Sequence, residues 1–96
     1  MLFMMEWSMK DGCCEHAVNK FLSTGAPMPE GSTLVGRYHA PGSVNGWLIV
    51  STEDPKHLYF HASEWAELLN WKTTPILSDE EAGVTCAAVW KSEKSD

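Results

Sequence analysis

Thr33-Leu34-Val35-Gly36-Arg37-Tyr38-His39, followed by Ala40-Pro41-Gly42-Ser43-Val44-Asn45-Gly46 and then Trp47-Leu48-Ile49-Val50-Ser51, is the stretch on which the fold turns. Alternation over Thr33–His39 predicts a strand with Val35, Arg37 and His39 on one face and Leu34, Gly36 and Tyr38 on the other. The middle segment is dense in turn residues, and Trp47–Ser51 is almost continuously apolar, as a strand in the centre of a sheet would be. The whole stretch therefore reads as a β-hairpin with a long loop.

Working outward, each arm of the hairpin is flanked by a helix and then a further strand. On the N-terminal side, Met1–Met9 alternates Phe3, Met5, Trp7 and Met9 against Leu2, Met4, Glu6 and Ser8, a strand covered on both sides. Asp11 is placed to cap the next helix, whose buried stripe is read as Cys14, Val18, Phe21 and Leu22 with Ala17 between them. That helix stops at Gly25, a C′ residue, before Pro27. On the C-terminal side, Asp54 and Pro55 start a second helix with Leu58, Ala62, Trp65 and Leu69 as its stripe. His57, His61, Glu64 and Leu68 run beside that stripe, and Tyr59 and Phe60 point elsewhere, which suits a partner surface. Trp71–Leu77 is then a strand that Pro75 confines to a sheet edge. Ser78, with Glu81 three residues on, caps a last short helix.

The order β-α-β-β-α-β defines an α+β, ferredoxin-like sandwich in which both helices cover one face of a four-stranded antiparallel sheet, with the first and third strands central. Apolar residues on both faces of the strands call for a cover on the second face too. A second copy of the chain would provide it, giving a homodimer of the dimeric α+β barrel kind. One domain is expected over residues 1–90, with 91–96 as a frayed tail.

Thirteen acidic side chains against seven lysines and arginines give a net charge of −6 with no basic cluster, which argues against nucleic acid as a partner. No apolar run is long enough to span a membrane. Three cysteines, two of them adjacent, and no signal segment fit reduced thiols in the cytoplasm. No glycine-rich phosphate loop or nucleophile elbow is present, and no cofactor is expected.

Arg37 and His39 are the leading site residues. A guanidinium fork suits a carboxylate or phosphate, and an imidazole exchanges protons near neutrality. The alternative is a structural ion pair between Arg37 and Glu6. Trp47 and Trp71, on strands, are candidates to line a cavity beside them. His57, His61 and Glu64 have helix spacing compatible with zinc, but the polar-flank reading is simpler and no metal site is assigned. Cys14 is expected to be buried, while Cys13 at a helix start is a bystander unless exposed.

Phe21 to Gly31, Gly36-Arg37-Tyr38-His39, Glu53-Asp54-Pro55, Glu64-Trp65-Ala66-Glu67-Leu68-Leu69, Thr74-Pro75-Ile76-Leu77 and Asp79-Glu80-Glu81-Ala82 together carry a family resemblance. Over about Met1 to Ala88 the chain resembles the small bacterial proteins grouped as domain-of-unknown-function family 3303. The resemblance implies a ferredoxin-like fold of the dimeric barrel kind and no established activity. Arg37 and His39 match the family's glycine-arginine-aromatic-histidine motif, whereas the paired cysteines, His57 and His61 depart from it.

The expected function is that of a cytosolic homodimer binding a small organic acid, with Arg37 as anchor, His39 as hydrogen-bonding partner and Trp47 or Trp71 packing on the ligand. The alternatives are a cofactor-independent oxygenase or isomerase with His39 as general base, and an interaction module that docks through Tyr59 and Phe60.

Overall fold

A computed structural model describes residues 1–94. Its elements run β1 (Leu2–Met9), α1 (Cys14–Thr24), β2 (Thr33–His39), β3 (Asn45–Ser51), α2 (Lys56–Glu64), β4 (Leu69–Ile76) and α3 (Asp79–Lys94). The four strands form one antiparallel sheet in the order β2-β3-β1-β4. The chain is thus α+β and ferredoxin-like, with β1 and β3 in the centre and Pro75 on an edge strand.

Period-two burial sorts the side chains. Phe3, Met5 and Trp7 of β1 and Leu48 and Val50 of β3 are buried on the face that also receives Ala17 of α1, Leu58 of α2 and Trp65. Burying each large apolar side chain stabilises the fold by about 1.5–3 kcal/mol relative to exposure. The opposite face, with Leu2, Met4, Trp47, Ile49 and Ile76, is only half-buried. It grades into polar Glu6, Ser8, Asn45, Asn70 and Lys72 at the other end of the strands.

The strand alternation expected for β2 is broken by one residue. The pairing of β2 with β3 shifts between Leu34 and Gly36, so Val35 is a bulge residue. Leu34 faces Val50 and therefore shares the helix-covered face with Arg37 and His39, which face Leu48 and Gly46.

Helix α1 also differs in register from its reading. Its N-cap is Cys13, with no side-chain cap bond, so Asp11 does not cap it. The inward side is set by Ala17, with Cys13 and Phe21 half-buried four residues to either side, while Cys14 and Leu22 are exposed. Its end is as expected: Gly25 has φ 72° and donates its N–H to the Phe21 carbonyl at 2.8 Å.

Asp54 accepts a hydrogen bond from the Lys56 N–H at 2.9 Å, closing the start of α2. This helix ends at Glu64, so buried Leu69 belongs to β4 rather than to the α2 stripe. Lys20 donates to the Glu64 carbonyl and Lys10 to that of Ala66 at 2.6 Å, placing two cations on the carbonyl end of α2.

Ser78 caps α3 as read, its Oγ accepting from the Glu81 N–H at 3.2 Å. That helix is longer than expected and extends through Lys94; Ser95 and Asp96 of the expected tail lie outside the described residues. From Gly83 to Lys91 every residue is exposed, and Val84, Val89 and Trp90 stand out as large apolar groups in water.

Gly46 leaves room over β3 for the Trp7 ring. A Cβ there would run into the Trp7 ring and the Tyr38 carbonyl. Gly46→Ala is therefore expected to lower the unfolding free energy by about 3 kcal/mol, readable as a drop in the urea midpoint at unchanged m-value.

Candidate functional site

Gly46 lies in a row that crosses the sheet on its helix-covered face. His39 of β2 is opposite Gly46 of β3, Gly46 is opposite Trp7 of β1, and Trp7 is opposite Trp71 of β4. Because Gly46 has no side chain, the Trp7 ring lies across it and meets His39 edge-on, with centroids 5.4 Å apart. Phe21 of α1 meets His39 from above at the same centroid distance. Arg37 sits two residues before His39 on the same strand face, with its Cζ 5.8 Å from the centroid of the Phe21 ring.

These side chains line a cavity of about 220 Å³ between the sheet and the first two helices, open to solvent where exposed His39 and Leu22 border it. Trp7, Leu48, Leu69 and Trp71 contribute from the sheet, Ala17 and Phe21 from α1, and His61 from α2. Arg37 and His39 border it on the β2 side. Among the described residues, no aspartate or glutamate lines it.

Arg37 is held by the turn that follows α1. Its Nη2 donates to the Ala26 carbonyl at 2.7 Å and its Nη1 to that of Gly25 at 3.4 Å. Ala26 has φ 45°, a left-handed conformation costly for a side chain with a Cβ, and the two carbonyl contacts fix the turn in that shape. Burial lowers the Arg37 pKa from its ordinary value, but a guanidinium remains charged across the physiological range. Glu6 is on the opposite face of the sheet, so the Arg37–Glu6 ion pair does not form.

His61 is the site residue that the sequence reading did not place. It is 2 % exposed rather than part of a polar flank. Burial first, then the charges of Arg37 and Lys20, push its pKa down to about 4, so its ring is neutral at pH 7. Its Nδ1 has no hydrogen-bond partner; the Glu64 carboxylate, 3.9 Å away, is beyond hydrogen-bonding distance. Trp71, whose ring meets His61 edge-on at 5.7 Å, also has a buried, unpartnered Nε1–H. The signal was available: Leu58, His61 and Trp65 fall at i, i+3 and i+7, which is itself a buried helical stripe.

The remaining expected site residues separate. His57 Nδ1 is 2.6 Å from Thr52 Oγ1, and no three metal-ligating side chains converge among the described residues. Trp47 pairs in register with Glu6 and Tyr38 and so stands on the open face, beside Asn45 and Lys72.

The fold and cavity define a class: a ferredoxin-like α+β domain with an aromatic-walled pocket between sheet and helices. Residues 1–89 match the family described as domain of unknown function DUF3303, and the chain belongs to that family. No curated protein and no solved structure matches it. No helix among the described residues is long and apolar enough to cross a membrane.

Proposed function

We propose that the chain is a cytosolic homodimeric protein that binds a small organic acid in the cavity between its sheet and helices. One observation carries this reading: an aromatic and aliphatic cavity has a guanidinium in its wall and, among the described residues, no carboxylate lining it to neutralise that charge. An anionic ligand supplies the missing charge, and the guanidinium protons left over from Gly25 and Ala26 are free to bond it. His39 adds a hydrogen bond at the same end, and Trp7, Phe21 and Trp71 pack on the apolar part. A volume of about 220 Å³, roughly seven water volumes, suits a single ring bearing a short acid and is too small for a dinucleotide.

Three of the five tryptophans, Trp7, Trp65 and Trp71, line the cavity, so intrinsic fluorescence reports its occupancy. Titration with phenylacetate should give saturable quenching at one molecule per chain. A linear, unsaturable response would remove the reading.

The dimer follows from what is left uncovered. Leu2, Met4, Ile49 and Ile76 form an apolar half-face on the open side of the sheet, and Ala82, Cys86, Val89 and Trp90 form a stripe along exposed α3. A second copy covers both. Ile49→Asp, in the middle of that face, is expected to yield a folded monomer by sedimentation velocity; a dimer that persists in this variant contradicts the assignment of the face.

A second reading is favoured by the exposure of Tyr59 and Phe60 at 80 % and 57 % on α2. There the chain docks another protein through these rings and Arg37 serves only to clamp its turn.

A further inference from the structure

Resting on the acid-binding reading above, we infer that the ligand is two-headed: a carboxylate at Arg37 and, across a ring, a neutral hydroxyl received by His61 and Trp71. In chemical class it is a hydroxylated aromatic carboxylic acid.

The placement of polar groups in the cavity carries this. Arg37 and His39 belong to β2 and Trp71 to β4, the two opposite edges of the sheet. The polar groups therefore form two poles, separated by the apolar floor of Trp7 and Leu48. At the second pole, His61 Nδ1 and Trp71 Nε1 are both buried and both without a partner, on rings that meet edge-on. A buried polar atom left unsatisfied costs about 1–3 kcal/mol. Two such atoms on adjacent rings of one cavity wall form a polar site that a small hydrogen-bonding group can satisfy.

The chemistry of the two nitrogens narrows what fits. An indole N–H only donates, so the incoming atom must accept. The neutral imidazole presents at Nδ1 either a lone pair or a proton, according to its tautomer. A hydroxyl oxygen accepts from Trp71 in both cases; it donates to His61 in one tautomer and accepts from it in the other. A carbonyl satisfies only one tautomer. A carboxylate is disfavoured here, because the Glu64 carboxylate already stands 3.9 Å from His61 Nδ1. The flat walls formed by Trp7, Phe21 and Trp71 favour a ring between the poles.

The test compares two acids that differ by one oxygen. Calorimetric titration with 4-hydroxyphenylacetate and with phenylacetate is expected to favour the hydroxylated acid by about 10- to 100-fold, the equivalent of one or two buried hydrogen bonds. Trp71→Phe removes the N–H together with part of the ring that packs on the ligand. It should weaken both acids and bring their ratio down to within about threefold of unity. The wild-type comparison needs no variant to fold. Equal affinity for the two acids, both lost in Arg37→Ala, overturns the second pole and leaves the acid site standing. Failure of both acids to bind at millimolar concentration overturns the two readings together.

Discussion

Arg37→Ala is expected to weaken binding of an aryl carboxylate by about 10- to 100-fold, measured by tryptophan quenching, because a charge-assisted hydrogen bond contributes about 1.5–3 kcal/mol. The variant has a second cost that must be separated from the first. Arg37 also donates to the carbonyls of Gly25 and Ala26, and Ala26 is held at φ 45°. Losing those contacts should reduce stability by about 1–3 kcal/mol. Arg37→Lys separates the two effects. It retains the charge but cannot match the fork, so it should keep affinity within about tenfold of the native protein while losing most of the same stability. Native affinity in Arg37→Ala, with only stability reduced, would make Arg37 a turn clamp and favour docking through Tyr59 and Phe60.

Mild acid should destabilise the protein through His61. Its folded-state pKa of about 4 lies below the ordinary 6.5. Between those values the folded chain holds fewer protons on this ring than the unfolded chain does. Stability therefore rises with pH through this window, is complete above it, and is lost as pH falls. From pH 7.5 to pH 5 the loss attributable to His61 is roughly 2 kcal/mol, an order-of-magnitude figure. Replacing the imidazole with a ring that cannot titrate removes this contribution. The difference in unfolding free energy between wild type and His61→Phe should thus shift by roughly 2 kcal/mol between the two pH values, in favour of the variant at pH 5. Urea titrations at each pH measure it. A pH-independent difference would mean that His61 charges freely in the folded state and is not enclosed.

The path of the chain could be read from its residues because turn and cap signals are local. Gly25, Asp54-Pro55, Pro75 and Ser78 each act within a few positions, and all do in the structure what their chemistry dictates. Errors arose where one residue of offset changes a face. A period-two pattern cannot see the bulge at Val35, because an inserted residue shifts parity without changing composition. Cys13 and Cys14 are identical neighbours about 100° apart on a helix, so a helix starting without a side-chain cap gave no signal for which turns inward. The loop between β2 and β3 is too long for its length to fix the register, so the sequence alone leaves the face of Trp47 open. Pairing Tyr38 with Trp47 puts that ring on the other side of the sheet. His61 is hidden for a different reason: burial stripes are read from apolar residues, so an imidazole on the Leu58–Trp65 stripe is not counted in it although it is buried there.

Native mass spectrometry of the protein isolated gently from its own cells tests the central claim most directly, since one spectrum reports both the number of subunits and what they retain. The predicted result is a dimer carrying one small organic acid per chain, a mass that disappears in Arg37→Ala. A bare monomer that takes up no aryl carboxylate added at millimolar concentration would contradict both the cavity assignment and the cover proposed for the open face of the sheet.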